Sequence, residues 1–202
     1  ADRGESPYHR SKLRGEEVTR TFEGRWIIVR PGNVYGTGDE QISLILKMVR
    51  SLPAVPVIAG GDRPFQPIWA DDAGIALALA AERDDLAGRV LEVAGPEQTT
   101  FDDIVQRLAR ITKRDPIRLP IPVPLASMAL RAANALGAEL PIDSGQLTML
   151  GEGNVVTSPD GNALTTVFGL PGTKLDTGLA MLADSQPELL PEEGVGALAD
   201  AG

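Results

Sequence analysis

The sequence predicts an α/β fold: part of a parallel sheet with helices around it, carrying a small C-terminal lobe. Three observations carry this expectation. Trp26-Ile27-Ile28-Val29 is a short apolar, β-rich run closed by Arg30-Pro31-Gly32. It is too short for a buried helix and suits a buried strand. A second such run, Val90–Val93, lies between Gly88 and Gly95. Helical spacing precedes, separates and follows these runs, the alternation that builds parallel sheets.

Taken in order, Ala1 to Glu5 is a polar lead-in. Ser6 can cap a helix, and Pro7 fits its first turn, where a missing N–H costs nothing. That helix, from about Ser6 to Thr21, carries Glu16 and Glu17 and stops before Gly24. The Trp26–Val29 strand follows, then a bend rich in Gly, Asn and Pro over 31–38. Ile42, Ile45, Leu46 and Val49 give the spacing of an amphipathic helix, ended by Pro53. Val55 to Ala59 is a strand, and Pro56 within it suggests an edge. Gly60-Gly61-Asp62 is a turn, and Phe65 to Ala70 is extended.

Asp71-Asp72 opens a helix through Ala81, with a carboxylate cap and a favourable dipole interaction. Its alanine and leucine content predicts a largely buried helix. Thr100-Phe101-Asp102-Asp103 resembles a capping box ahead of Ile104, Val105, Leu108 and Ile111, and this helix should end near Lys113. Proline-rich 116–124 is expected to be extended and irregular. Helices are expected over 125–136 and 144–150, then a turn at 151–154. Residues 165–170 and 175–183 read as a last small lobe, and 186–202 as a flexible acidic tail. The expected grouping places 1–54 with 71–95 in a sheet domain, and 55–70 with 96–185 in a substrate-binding lobe.

The chain has 202 residues and a formal net charge of −9, which argues against nucleic acid and anionic membrane as partners. It contains no cysteine and one histidine, so neither a disulfide framework nor a thiolate or His-rich metal site is available. No apolar run approaches the roughly 20 residues that span a bilayer. The first residues lack the apolar core of a signal peptide, and a cytoplasmic protein is the expectation.

The chemistry concentrates near the start. Tyr8 and Lys12 are four residues apart, so one helical face carries both. An ammonium beside a phenol favours the phenolate, which suits Tyr8 to proton transfer near neutral pH. The same spacing also fits a half-buried aromatic beside a solvated charge. The Trp26–Val29 strand then ends in Arg-Pro-Gly-Asn-Val-Tyr-Gly, a loop of the kind that lies over the carboxyl end of a parallel sheet. Together these motifs resemble the extended short-chain dehydrogenase/reductases, the NAD(P)-dependent epimerase/dehydratase family. The stretches Phe65 to Ala73 and Leu91 to Glu97 resemble later parts of that family. Gln146 to Asn154 is similar to a narrower branch, the atypical extended reductases that resemble the accessory subunit of respiratory complex I with this fold.

The resemblance implies a Rossmann-type sheet, NAD or NADP as cofactor and a small-molecule substrate. It implies Tyr8 as catalytic acid/base, Lys12 holding the nicotinamide ribose and tuning Tyr8, and Pro31, Gly32, Asn33 and Val34 against the nicotinamide. Arg63 and Gln66 fall where the family often places substrate-facing residues, though Arg63 in a turn also reads as solvated. The family's Gly-x-x-Gly-x-x-Gly cradle has no counterpart here, which points to the C-terminal part of a longer reductase. An open strand edge would then remain, with self-association or a partner covering it. Two other functions stay open. One is a non-catalytic nucleotide-binding or assembly module like the complex I subunit. The other is a hydrolase using Ser6 or Ser11 with Tyr8 and Lys12, for which His9 reads as an exposed helical residue rather than a partner.

Overall fold

The computed structural model describes residues 7–58, 62–122, 124, 125, 128 and 154–186. Ser6, Gly60, Gly61, most of the expected 125–136 helix, the expected 144–150 helix, Gly151 to Gly153 and the tail beyond Gln186 lie outside the described residues.

The expected first helix is present as α1, Pro7–Arg20. It leads to β1, Ile28–Pro31, which pairs in parallel with β5, Val90–Val93, in the register Ile28↔Val90 to Pro31↔Val93. The parallel pairing matches the expected sheet, displaced two residues along the chain from Trp26. The cause is local: strand pairing begins where the Ile28 N–H reaches the Arg89 carbonyl at 3.0 Å. Two further parallel pairs form among the described residues. β2, Val34–Tyr35, pairs with β4, Ile68–Trp69, and β3, Ala54–Ile58, with β6, Ile117–Ile121.

β6 corrects the expectation of an irregular proline-rich stretch. In a two-stranded pair every strand is an edge, so Pro120 and Pro56 are tolerated where their missing N–H can face away from the partner. Between the strands lie α2, Gln41–Ser51; α3, Ala70–Glu82; and α4, Phe101–Thr112. Two short helices follow, α5, Ala163–Thr166, and α6, Leu175–Ser185.

Several helix starts are held by side chains. Thr100 accepts a hydrogen bond from the Asp103 N–H at the start of α4, and Lys113 ends that helix in the left-handed conformation. Asp39 holds the start of α2, its carboxylate accepting from the Ile42 and Ser43 N–H groups at 2.7 and 3.2 Å. The expected Asp71-Asp72 cap is not formed. Trp69 precedes α3, Asp71 accepts from the Trp69 indole at 3.2 Å, and Asp72 accepts from the Thr173 N–H at 2.6 Å. Both carboxylates are drawn sideways to donors outside the helix.

Two apolar clusters form. One joins Ile45, Leu46 and Val49 of α2, Val55 of β3, Ile104 and Leu108 of α4, and Leu179 and Leu182 of α6 with Tyr35 and Trp69. The other joins Ile68, Leu91 and Val93 to Ala73 and Ala76 of α3, Leu86 and Leu164. α2 packs in the first cluster and α5 in the second. An amphipathic face needs an apolar neighbour, and for α2 that neighbour is α4 with α6. The expected burial of α3 is also corrected. Ala73, Ala76 and Ala80 are buried, while Ile75 and Leu77 are about half exposed.

Candidate functional site

Helix α1 carries the Tyr8–Lys12 pair as the spacing requires. The Lys12 ammonium lies 5.3 Å from the centroid of the Tyr8 ring, a cation–π distance, and about half of Tyr8 is open to solvent. The His9 ring meets Tyr8 edge-on at 5.6 Å. Ser11, named in the hydrolase reading, donates its hydroxyl to the Tyr8 carbonyl at 2.8 Å. That bond directs it back onto the helix backbone rather than out as a nucleophile.

The loop after β1 presents the other expected residues. The Gly32 N–H donates to the Val93 carbonyl at 2.7 Å, and a Cβ at Gly32 would collide with the Gln66 carbonyl oxygen. Close approach of two backbones is why glycine stands there. Pro31 is exposed and Val34 is 45% exposed, so both are open at the strand end. Asn33 is bonded on both sides: its Nδ2 donates to Gln41 Oε1 at 3.2 Å, and its Oδ1 accepts from Asn154 Nδ2 at 2.9 Å. Arg63 is exposed.

Gln66, expected to face substrate, is buried and tied into the backbone. Its Nε2 donates to the Gly95 carbonyl at 2.7 Å, and its Oε1 accepts from the Val156 N–H at 3.3 Å. A buried amide satisfies its polar atoms nearby, and here it does so on the Gly95 and Val156 backbones.

What links α1 to the sheet is a charge cluster that motif reading missed. Glu16 is the buried residue of α1, and Arg30 of β1 grips it with two bonds, Nε to Oε1 at 2.8 Å and Nη2 to Oε2 at 2.7 Å. Arg20 adds a third at 3.1 Å. Hydrogen bonding from Arg30 holds the Glu16 carboxyl below its ordinary value, outweighing the cost of burial. On the neighbouring strand, Glu92 lies beside Arg30 in register, 3.9 Å away, and accepts from the Thr157 and Ser158 N–H groups at 2.8 and 2.9 Å. A signal was present: an arginine and a glutamate each sit inside an otherwise apolar strand.

A hollow of about 370 Å³ lies between β1 and α3, floored by Ile27, Val29, Leu77 and Ala80, with Arg25 and Arg83 at its rim. Those arginines pair with Asp84 and Asp85. Among the described residues no helix is long and apolar enough to cross a membrane.

Paired parallel strands with helices between them form a Rossmann-type fold that resembles solved epimerases and dehydratases. The dTDP-glucose 4,6-dehydratase of Bacillus anthracis, solved in complex with NAD, superimposes on 88% of this chain and half of its own, with a TM-score of 0.64 at 15% identity. In sequence, the chain is similar to two curated proteins. It is 26% identical over 152 residues to the mitochondrial NADH dehydrogenase (ubiquinone) 1 alpha subcomplex subunit 9 of Arabidopsis thaliana, covering 74% of this chain. It is 29% identical over 127 residues to the ceramide reductase of Caulobacter vibrioides, covering 62% of this chain. The chain spans 38% and 40% of those relatives' lengths. No family model matches it.

Proposed function

We propose that this chain forms the proton-transfer and substrate side of an NAD(P)-dependent reductase, epimerase or dehydratase of the extended short-chain type. The observation that carries the reading is the Lys12 ammonium held 5.3 Å from the accessible Tyr8 ring, in a chain with this fold. The donor set fits a nicotinamide nucleotide: an ammonium for ribose hydroxyls, a phenol for proton transfer, and open residues at a strand end for an amide-bearing ring. In this reading Lys12 holds the ribose and stands beside the Tyr8 ring. Tyr8 Oη gives or takes the proton at the substrate oxygen, and Pro31 to Val34 line the nicotinamide. The bound nucleotide supplies hydride acceptance and return.

The test is calorimetric titration with NAD(H) and NADP(H) of the protein that carries this chain, together with turnover. Micromolar binding that is lost in Lys12→Ala, with turnover reduced at least a hundredfold in Tyr8→Phe, supports the reading. Turnover indifferent to Tyr8→Phe overturns it. Similarity to the complex I subunit favours a second reading, a nucleotide-binding or assembly module without chemistry. Nucleotide that raises the melting temperature but is never reduced or oxidised selects that one.

A further inference from the structure

The segment Asn154–Ser158 binds, in succession, the residues that frame the candidate site. Asn154 Nδ2 donates to Asn33 in the loop after β1. Its carbonyl accepts from the Gln66 N–H at 2.8 Å, and its own N–H donates to the Pro64 carbonyl at 3.2 Å. The Val156 N–H reaches the Gln66 side chain, and the Thr157 and Ser158 N–H groups both reach Glu92 Oε2. Glu92 flanks Arg30, and Arg30 holds Glu16 of the helix that bears Tyr8 and Lys12.

The Glu16–Arg30 pair ties α1 to β1. Val18 is 70% exposed and Phe22 63%, so neither apolar residue anchors the helix to the sheet. We propose that 154–158 is a strap whose seating on Glu92 is transmitted through Arg30 and Glu16 to the position of the Tyr8–Lys12 helix. A group entering beside Asn33 would compete with Asn154 for the Asn33 amide and so shift the strap. Arg30 is thereby a positioning residue that couples occupancy of the lobe to the placement of the proton-transfer pair. The functional meaning rests on the reading of Tyr8 and Lys12 given above; the mechanical coupling does not.

The chain has two tyrosines, which makes the test direct. Labelling the tyrosine rings for NMR gives one signal from Tyr8 on α1 and one from Tyr35, which is buried in the other cluster and reports that the fold is intact. Arg30→Met should displace the Tyr8 signal and raise amide exchange along α1 at least tenfold, leaving Tyr35 in place. Arg30→Lys should recover part of the protection, because an ammonium keeps the charge but not the two-pronged grip. Glu92→Gln is the deciding variant, since it leaves Glu16 and Arg30 intact. Exchange should rise at Thr157, at Ser158 and along α1 together. If it rises at 157–158 while α1 stays protected, strap and helix are independent and the proposal fails. Should Arg30→Met disturb Tyr35 as well, the Glu92→Gln result alone decides. A Tyr8→Phe protein with undiminished turnover would remove the proton-transfer reading without touching any of these exchange results.

Discussion

Helices α1 and α2 are of similar length and are held by opposite means. α2 buries Ile42, Ile45, Leu46, Met48 and Val49 against α4 and α6, and Asp39 secures its first turn. α1 buries the Glu16 carboxylate, leaves Val18 and half of Tyr8 in solvent, and only half-buries Leu13. Apolar packing is short-ranged and tolerates little displacement, so α2 is fixed in one place. An ion cluster near the surface can loosen and reform, so α1 has an adjustable seat. The difference teaches that the helix bearing the candidate chemistry is attached more lightly than the scaffold beneath it, as expected of elements that move.

The comparison is sharpened first by its largest contrast. Leu108 of α4 is fully buried, and Leu108→Ala should cost about 3–4 kcal/mol in denaturant unfolding. Phe22→Ser, just beyond α1, should change stability by no more than about 0.5 kcal/mol. A loss at Phe22 comparable with that at Leu108 would break the contrast.

A middle-sized effect concerns how tightly the first cluster is filled. Tyr35 is buried with its ring edge-on to Trp69 at 5.4 Å, and its hydroxyl has no hydrogen-bond partner among the described residues. Burial, with the negative charges of Asp72 and Glu97, pushes that phenol well above its usual value. The hydroxyl points at α6, where a Cβ on Gly178 would collide with it. Gly178→Ala should therefore destabilise by roughly 2 kcal/mol through overpacking. Tyr35→Phe should be neutral or stabilising by about 1 kcal/mol and should recover part of the Gly178→Ala loss, since the ring's Cζ would still lie 2.8 Å from the added Cβ; thermal melts of the double variant would show this. Additive losses in that double variant would mean the contact is not the cause.

The smallest effect is a pH dependence confined to α1. Because Glu16 has a lowered value when folded, its contribution is present above the ordinary glutamate value of 4.5 and is lost as the pH falls through the folded value. Arg20 on α1 and Arg30 on β1 face Glu16, and Glu92 on β5 faces Arg30. Amide exchange along α1 should rise in acid below that value while the Tyr35 signal holds. Glu16→Gln should show that looser α1 already at neutral pH and respond less to acid. An α1 that loosens together with the α2 cluster would dissolve the distinction between the two regions.

The readable parts of the molecule were those governed by local rules. Tyr8 and Lys12 meet because residues four apart on a helix must, and Thr100 caps α4 because its hydroxyl reaches the Asp103 N–H. Pro31 to Val34 stand at a strand end because an apolar run stops at proline and glycine. What escaped was set by partners distant in the chain. Gln66 is turned inward by Gly95 and Val156, and Asp72 is taken from its helix by Thr173. Arg30 draws its meaning from Glu16, fourteen positions away. No periodicity announces such pairings; each depends on which strands become neighbours.

Among the described strands, β1 pairs with β5 alone, so its other edge keeps backbone groups available to another strand. A strand pairing there would make stability a matter of concentration. A strand that pairs there binds the folded state only, and its binding energy adds to folding by mass action, about 2.7 kcal/mol when the strand is at a hundred times its dissociation constant. Its melting temperature would then be a titration curve rather than a constant. Measured at several concentrations of this chain alone, the slope of that curve would report whether a second copy supplies the strand.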